Sequence, residues 1–196
     1  MALRIQVLPK AETAGHLAAL ADLRIAVFRD WPYLYDGDAA YEARYLATYA
    51  ASSDACIVGA FDGDRLVGAA TGSPLEQHEA AFAAPLKARG MDPAEVYYCA
   101  ESVLLPRYRG QGAGHAFFDQ REAHARTLDR RWSAFCAVQR LDDHPARPAG
   151  YRPLEGFWRA RGYAPIPDAI AHFPWKDVGD TEETEKPLQF WLKELR

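Results

Sequence analysis

The sequence predicts a mixed α/β (α+β) fold in which helices flank a sheet of about seven strands. Short runs rich in branched and aromatic residues, which are typical of strands, alternate along the chain with longer segments that have the apolar spacing of helices. The resulting order, β-α-α-β-β-α-β-α-β-α-β-β, indicates mixed architecture. With 196 residues the chain is long enough for a sizeable core, and we expect a single domain over 1–196.

The overall composition argues against several classes of protein. Hydrophobic residues make up 49% and charged residues 26% of the chain, which is ordinary for a soluble globular protein. The net charge of −4 does not favour nucleic acid or an anionic membrane as the main partner. No apolar run approaches a membrane span, and the first residues lack signal-peptide architecture. We therefore expect a cytoplasmic protein with no nucleic-acid or membrane partner.

The three cysteines, Cys56, Cys99 and Cys136, are odd in number and widely spaced, and each lies in an apolar run. This pattern indicates core thiols in a reducing compartment rather than a disulfide framework. The sequence contains neither a CxxC pair nor an HExxH pattern, so we predict no metal site.

The N-terminal part is predicted as a strand followed by two helices. Leu3–Leu8 alternates in polarity and ends at a proline, as a first strand would. Thr13 is a suitable N-cap for a helix that continues to the loop 29–38. This loop holds three large aromatic residues and several carboxylates. Asp38 is a suitable N-cap for the second helix, Ala39–Ala50.

A hairpin and a further helix are predicted next. Ala55–Phe61 and Arg65–Thr71 have strand composition and are joined by Asp62-Gly63-Asp64, and Asp-Gly between two such runs is a strong hairpin indicator. The connection that follows contains a helical portion, Leu75–Arg89, before it reaches the central strand.

The central part combines a strand, a glycine loop and a helix start. Val96–Leu105 is predicted as a buried strand, which Pro106 ends because it cannot donate to a ladder. Arg109–Gly114 is a glycine loop, and the helical segment after it contains no Gly or Pro. Glycines let the backbone approach a ligand, the first N–H groups of a helix lack partners, and Arg109 adds a permanent charge. This arrangement fits a pyrophosphate.

The rest of the chain is predicted to form a strand, a short helix and two further strands. A long, polar, acidic segment separates the final two strands, and its part Asp177–Glu185 is interpreted either as a lid over the site or as a solvated, mobile loop. The predicted elements are a strand at Trp132–Val138, a loop at 140–153, a helix at Leu154–Arg161 and a strand at 162–166. The polar segment 170–185 and a last strand at Pro187–Leu195 follow.

Three interpretations of the glycine loop compete with that of a simple turn before a helix. A Walker loop requires Lys-Ser or Lys-Thr after its glycines, and none is present. A dinucleotide fold requires Gly-x-Gly-x-x-Gly, whereas this loop has Gly-x-Gly-x-Gly. The loop is similar to the coenzyme A loop of the GNAT superfamily of N-acetyltransferases, Gln/Arg-x-x-Gly-x-Gly/Ala. The match covers every fixed position of Arg109, Gly110, Gln111, Gly112, Ala113 and Gly114.

The resemblance implies a fold and a cofactor. It implies a mixed, mainly antiparallel sheet that splays after the central strand, with acetyl-CoA bound in the split and coenzyme A released as product. The six loop residues would hold the pyrophosphate. Backbone groups of Val103, Leu104 and Leu105 would pair with the pantetheine arm like an added strand, and an N–H near Val103 or Leu104 would face the thioester oxygen.

A second GNAT pattern, Asn-x-x-Ala-x-x-Phe-Tyr-x-x-x-Gly-Phe, is only partly kept. Phe157 and Gly162 occupy the Phe and Gly positions, but Trp158 replaces the Tyr that family enzymes commonly use as general acid. An indole has no acidic hydroxyl, so Trp158 is expected to pack against the cofactor or the core. Tyr151 and Tyr163 are the candidate replacements for the acid, and water is another source of the proton.

Glu101 is the candidate general base. It is a carboxylate within an apolar strand, where desolvation would raise its pKa and help it to accept a proton from an ammonium group. The alternative is a structural Glu paired with an Arg or with backbone groups. Ser102 should point to the opposite face if the strand is regular, and a bulge would change that assignment.

The loop between the first two helices is the candidate acceptor site. Trp31, Tyr33 and Tyr35 are accompanied by Asp36 and Asp38, and aromatic rings with carboxylates suit a cationic amine. The alternative is a packed aromatic corner with a solvated acidic turn.

Together these features predict an N-acetyltransferase that moves an acetyl group from acetyl-CoA to the primary amine of a small molecule by direct attack. The alternatives are a non-catalytic coenzyme A or acyl-CoA binding or regulatory module and a nucleotide-binding α/β protein. A homodimer is possible, because the final strand could pair across a two-fold axis.

Overall fold

The computed structural model describes residues 3–196, so Met1 and Ala2 lie outside the described part. The strands are β1 (Arg4–Val7), β2 (Cys56–Asp62), β3 (Arg65–Pro74), β4 (Val96–Leu104), β5 (Trp132–Val138), β6 (Ala164–Lys176) and β7 (Glu183–Glu194). The α-helices are α1 (Lys10–Phe28), α2 (Ala39–Ala51), α3 (Ala80–Lys87), α4 (Ala113–Thr127) and α5 (Glu155–Ala160). The order of elements along the chain is the predicted one.

All seven strands belong to one sheet with the order β1-β2-β3-β4-β5-β7-β6. Every neighbouring pair is antiparallel except β4 and β5, which are parallel. The predicted mixed, mainly antiparallel sheet is therefore confirmed.

The sheet opens between its two parallel strands. The pairing joins Val96–Tyr98 of β4 to Trp132–Ala134 of β5, and both strands continue beyond it without pairing to each other. The predicted splay after the central strand is confirmed. Backbone groups on the two facing edges of this split are consequently left without ladder partners, and buried backbone groups require partners.

Helices cover both faces of the sheet. On one face α4 packs Phe117 and Phe118 against β4 and β5, and both rings are almost fully buried. On the other face α1 and α2 contribute Leu20 and Leu46, and α3 adds Leu86 beside β4 and β7. Each fully buried side chain of this size contributes roughly 2 kcal/mol. The sheet thus lies between two packed layers of helices.

The start of α1 differs from the prediction. The helix begins at Lys10 after Pro9, and Thr13 lies within its first turns, where its hydroxyl donates to the Pro9 carbonyl (3.3 Å). The predicted N-cap at Thr13 is therefore wrong. At α2 the prediction is confirmed, because the Asp38 carboxylate accepts from the Tyr41 N–H (2.7 Å).

The C-terminal hairpin also corrects the prediction. The predicted polar segment 170–185 is mostly ladder, since β6 extends to Lys176 and β7 begins at Glu183. β6 tolerates its prolines because it is an edge strand, and a register shift between Pro165 and Ile170 accommodates the residues there. β7 pairs with β5 and β6 along its two edges, so it has no free edge for pairing across a two-fold axis.

Two smaller features complete the description. The predicted helix 75–89 is a short 3-10 turn at Leu75–Gln77 followed by α3. Within residues 3–196, no helix combines the length and the apolar character needed to cross a membrane.

Candidate active site

The glycine loop joins β4 to α4 with the backbone geometry of an anion site. Gly112 is the N-cap of α4 with φ +85°, and Gly110 has φ +76°, a region that L residues with side chains adopt at a cost. The Ala116 N–H donates to the Gly112 carbonyl (3.2 Å) as the first helical bond. The N–H groups of residues 113–115 precede this bond and have no acceptor within the helix. They and the helix dipole favour an anion at this end.

Arg109 lies at the mouth of the split. Its Nε donates to the carbonyl of Leu104 (3.2 Å) at the end of β4, and Arg109 itself is exposed. Gly114 lies next to α5, because a Cβ built there would be in ordinary van der Waals contact with the Phe157 ring (3.4 Å). The glycine loop, the end of β4 and α5 therefore meet at one place.

The edge of β4 determines which backbone groups can reach a ligand in the split. The Leu105 N–H donates to the Val67 carbonyl (3.0 Å), so in this antiparallel ladder Leu105 and Val103 point toward β3. Leu104 lies between them and points toward the split. This corrects the expectation for Leu105 and Val103, whose N–H groups are turned to the neighbouring strand, and it retains Leu104.

A β-bulge in β4 orients the residues beyond the paired region. Thr71 pairs with Glu101, and Ser73 pairs with Tyr98. Between these two pairs β4 therefore contains one residue more than β3, which is the defining feature of a β-bulge. The bulge places Tyr98 and Glu101 on the same face of the sheet, toward α1 and α2. In a regular strand Glu101 would share the face of Cys99, which packs under α4.

Arg121 of α4 holds this bulge from the other face. Its Nη1 donates to the carbonyls of Thr71 (3.0 Å) and Glu101 (2.8 Å), and its Nη2 donates to the Ser102 hydroxyl (2.9 Å). Arg121 is 1% exposed. Glu101 and Ser102 thus face opposite sides, as predicted, and Arg121 is a residue that sequence reasoning missed. Its position one turn after Phe117, on the apolar face of α4, was the available indication.

The carboxylate of Glu101 is buried, and its two oxygens differ. Oε2 accepts from Arg24 Nη1 (2.7 Å) and from the Tyr45 hydroxyl (2.9 Å). Oε1 is buried and has no hydrogen-bond partner among the described residues. One oxygen is therefore anchored, as in the structural alternative, and the other is buried without a donor.

Arg24 bridges two carboxylates. Its Nε also pairs with Glu42 Oε2, and Glu42 is fully buried. Burial alone would lower the pKa of Arg24, but the carboxylates of Glu101 and Glu42 raise it above its ordinary value. The guanidinium therefore stays charged. Sequence reasoning missed Arg24 and Glu42, because charged residues within amphipathic helices usually lie on the solvated face.

Aromatic and polar side chains surround Glu101 on this face. The Tyr45 hydroxyl lies 2.8 Å from that of Tyr49. His78 contacts the Ser73 hydroxyl (2.7 Å), and its ring centroid lies 4.8 Å from that of Tyr98. Burial lowers the pKa of His78 to about 4, so its imidazole is neutral at physiological pH.

The three aromatic residues of the α1–α2 loop lie in different surroundings. The Tyr33 ring lies 4.5 Å from Phe28, and burial, followed by Cys136 and Glu101, raises the pKa of its hydroxyl. Phe28 also contacts Arg24, whose guanidinium carbon lies 5.1 Å from the ring centroid. Burial, followed by the charge of Glu42, raises the pKa of Tyr35. The α1–α2 loop thus borders the cluster of Arg24, Glu42 and Glu101.

Trp31 lies at the other end of this loop and contacts the β5–α5 connection. Its ring centroid is 5.1 Å from that of His144 and 5.9 Å from that of Tyr151. Tyr151 is partly buried, and this burial raises its pKa. The structure therefore brings two of the predicted residues, Trp31 and Tyr151, together.

Tyr163 and Trp158, which also belong to the second sequence pattern, are packed within the core. The Tyr163 hydroxyl is buried and contacts the Ser133 hydroxyl (2.7 Å) and Glu122 Oε1 (3.1 Å). Trp158 lies between Phe135 and Trp191, with ring centroids 5.0 and 5.1 Å away. These contacts favour structural roles, and of the two tyrosines proposed as acids only Tyr151 borders the acceptor loop.

The turn of the β6–β7 hairpin is docked on the α1–α2 loop. Arg140 donates to the carbonyls of Pro32 (3.0 Å) and Tyr33 (2.7 Å), and it forms a bidentate pair with Asp177 (2.6 and 2.9 Å). The Val178 N–H donates to the Leu34 carbonyl (2.6 Å). The hairpin therefore holds the α1–α2 loop in place instead of forming a free mobile segment.

Replacing Asp177 by Asn is expected to lower the free energy of unfolding by about 2 kcal/mol at neutral pH, because Arg140 and Lys186 lose a charged acceptor. Burial alone would raise the pKa of Asp177, but the hydrogen bonds and charges of Arg140 and Lys186 lower it below its ordinary 3.8. The stabilisation is fully present above about pH 4 and is lost as the pH falls through the folded pKa.

Urea unfolding from pH 7 downwards measures this effect. The difference between wild type and Asp177→Asn should shrink below about pH 4. Asp180→Asn, a change at an exposed residue of the same turn, is the matched control and should leave stability unchanged. A difference that stays constant across this pH range would contradict the contribution of the ion pair.

Comparison with known proteins places these features in a family. Residues 19–149 match the family model described as acetyltransferase (GNAT) family. No curated protein matches the sequence.

Three solved structures are similar over nearly the whole chain. The Salmonella typhimurium protein yncA, solved with its cofactor acetyl-CoA, has 14% identity and a TM-score of 0.63, covering 100% of this chain and 95% of that one. The ribosomal-protein-alanine N-acetyltransferase of Brucella melitensis has 13% identity and a TM-score of 0.61, with coverages of 97% and 99%. A phosphinothricin acetyltransferase from Sinorhizobium meliloti, in complex with AcCoA, has 14% identity and a TM-score of 0.59, with coverages of 99% and 89%. At these identities the structural similarity shows the fold.

Proposed function

The chain belongs to the GNAT family of acetyltransferases, and from this premise we propose that it moves an acetyl group from acetyl-CoA to the primary amine of a small molecule. Acetyl-CoA-dependent acetyl transfer is the activity of the family, and the acceptor class is our proposal. We further propose that residues 1–196 form one catalytic domain. The three cysteines are buried and form no disulfide. Because free thiols are typical of a reducing compartment, they support our proposal that the protein acts in the cytoplasm.

The residues of the split fit acetyl-CoA. The free N–H groups of residues 113–115 and the exposed guanidinium of Arg109 would hold the pyrophosphate, while Gly110 and Gly112 permit the backbone to approach it. The N–H of Leu104 points into the split and would donate to the thioester arm. When bound, acetyl-CoA supplies an activated acyl carbon.

The observation that carries the proposal is the free Oε1 of Glu101. Glu101 lies on the part of β4 that no longer pairs with β5, so its carboxylate is close to the split. An amine enters as an ammonium ion and must lose a proton before it can attack the acyl carbon. We propose that Glu101 Oε1 accepts this proton while Oε2 remains anchored to Arg24 and Tyr45.

Direct attack, without a covalent enzyme intermediate, agrees with the state of the cysteines. Burial raises the pKa of Cys136, which lies near Tyr33, and it raises that of Cys56 to about 12. Neither thiol is therefore a thiolate at physiological pH, and the thiolate is the nucleophilic form. Tyr151 is the proposed proton donor to the leaving coenzyme A thiolate, with water as the other source.

The acceptor is proposed to bind against Trp31, Tyr33 and Tyr35. Aromatic faces attract ammonium ions, and the cluster of Arg24, Glu42 and Glu101 carries one positive and two negative charges, which favours a cation. Hydrogen bonds from the hairpin turn and from Arg140 fix the α1–α2 loop, and we propose that a fixed loop suits a small molecule better than an extended chain.

A second candidate function is a non-catalytic coenzyme A or acyl-CoA binding module with a regulatory role. The ion pair between Arg24 and Glu101, together with Trp158 at the position of the family Tyr, favours it. The two functions predict the same cofactor binding and differ in turnover with amines.

Calorimetric and thermal-shift titration is expected to show selective binding of acetyl-CoA and coenzyme A over ATP and NAD. A ligand at 100 times its Kd adds about 2.7 kcal/mol of stability, which raises Tm by several degrees. An amine panel read by release of free coenzyme A thiol then tests catalysis. Binding without turnover on any amine would favour the binding module, and preference for ATP or NAD would contradict both functions.

A further inference from the structure

A group of three charged residues is buried where α1, α2 and β4 meet. Arg24 is 8% exposed, Glu42 is 0% exposed and Glu101 is 6% exposed. Arg24 binds Glu42 through Nε and Glu101 through Nη1, so two carboxylates share one guanidinium. Both glutamates also have an Oε1 that is buried without a hydrogen-bond partner among the described residues.

This arrangement is more than a structural Glu101 would require. A single ion pair with Arg24 and the hydrogen bond from Tyr45 would already anchor the carboxylate. A second buried carboxylate leaves the group with excess negative charge, and burying a charge without full compensation is costly. The presence of Glu42 therefore calls for a role that a two-residue pair could not supply.

The negative charge of Glu42 affects the basicity of the Glu101 carboxylate. A guanidinium beside a carboxylate stabilises the charged form and makes the carboxylate a weak base. A second carboxylate on the same guanidinium opposes that effect, because it offsets the positive potential and repels a second negative charge. Glu42 and Arg24 together act on Glu101 as a nearly neutral pair.

We propose that Glu42 is a positioning residue for the acetyl transfer: by sharing Arg24, it keeps Glu101 basic enough to take the proton of the acceptor ammonium group. The proposal rests on the proposed function of Glu101. The proton passes from the ammonium nitrogen to Glu101 Oε1, and the freed nitrogen lone pair attacks the acyl carbon. Glu42 touches neither reactant and acts through Arg24.

The other groups that face Glu101 do not supply this balance. They come from α2, from β3 and the turn after it, and from the α1–α2 loop, and they are Tyr45, Tyr49, Thr71, His78 and Tyr33. Burial keeps the tyrosines protonated and His78 neutral at physiological pH. Arg121, on the opposite face of the sheet, is the other nearby charge, and it binds the backbone carbonyl of Glu101 (2.8 Å). Arg24 and, through it, Glu42 are the charged side chains on the face of the Glu101 carboxylate.

The test is the pKa of the Glu101 carboxyl, measured by carbon-13 NMR titration of the protein without ligand. Glu42→Gln should lower this pKa by at least about one unit, because Gln has the shape of Glu but lacks its charge. Arg24→Gln should raise it, and the double variant should return it toward the wild-type value. The acid limb of kcat/KM against pH should move in the same directions.

Glu122→Gln is the matched control. Glu122 is 3% exposed and bound to Lys193 (2.7 Å) and Arg161 (3.2 Å), but it lies on α4 at the opposite face of the sheet. Glu122→Gln should lower the stability of the protein, because it removes a buried charge partner, and it should leave the pKa of Glu101 unchanged. A loss of stability alone therefore does not reproduce the expected result.

The outcomes separate this inference from the proposed function. An unchanged Glu101 pKa in Glu42→Gln, with wild-type protein active on an amine, would overturn the role of Glu42 and leave the function standing. A shifted pKa with no turnover by wild-type protein on any amine would remove the proposed function, and the catalytic role of Glu42 would go with it. A shifted pKa and a matching shift of the acid limb support both.

Discussion

Replacing Glu101 by Gln is expected to lower kcat by on the order of 10²- to 10⁴-fold, the usual contribution of a positioned general base. Gln retains an oxygen that accepts from Arg24 and Tyr45, so the side chain keeps its place. It cannot accept a proton from the ammonium group. The affinity for acetyl-CoA should be unchanged, because Glu101 points away from the glycine loop toward α1 and α2.

Steady-state kinetics across pH and calorimetric titration with acetyl-CoA measure these effects. The residual activity of Glu101→Gln should rise with pH, as more of the acceptor amine is neutral in solution. Glu95→Gln removes an exposed carboxylate just before β4 and serves as the control. Full turnover combined with a large drop in Tm would show that Glu101 is a structural partner of Arg24.

Replacing Gly112 by Asp is expected to weaken acetyl-CoA binding by on the order of 100-fold, because it puts a negative charge where the pyrophosphate should lie. Gly112 has φ +85°, so any side chain there adds backbone strain. No atom lies within 4 Å of a Cβ built at this position, so the fold should be retained.

Gly112→Asn separates charge from strain. Asn has nearly the same shape as Asp and tolerates the left-handed region, so both variants carry similar strain. Acetyl-CoA should bind to the Asn variant much more tightly than to the Asp variant, and raising the salt concentration should narrow the gap. Equal affinities of the two variants, measured by calorimetry, would mean that the pyrophosphate lies elsewhere.

These two experiments address the two halves of the site, which differ in how far local sequence specifies them. The cofactor half is built from consecutive residues. The αL geometry of Gly110 and Gly112, the helix start at Ala113 and the strand before them are all properties of one continuous stretch. The positions of the glycines predict this geometry directly, because few other residues adopt a positive φ.

The proposed acceptor half is built from residues far apart in the chain. Arg24, Glu42 and Glu101 come from three elements, and their pairing depends on how α1 and α2 pack on the sheet. Arg121 is likewise separated by 50 residues from the Thr71 carbonyl that it binds. A charged residue in a helix has no local feature that distinguishes a buried ion pair from a solvated side chain.

By itself, the sequence determined the order of elements, the hairpin at Asp62-Gly63-Asp64, the cap at Asp38 and the backbone geometry of the glycine loop, since each arises from neighbouring residues. Only the tertiary structure decided the long β6–β7 hairpin, the direction of the Leu104 N–H and the partners of Glu101. The bulge in β4 selects the face of Glu101, and a bulge exists only relative to a paired strand. Strand pairing and ion pairing are contacts between distant segments, and their energies are therefore set by packing.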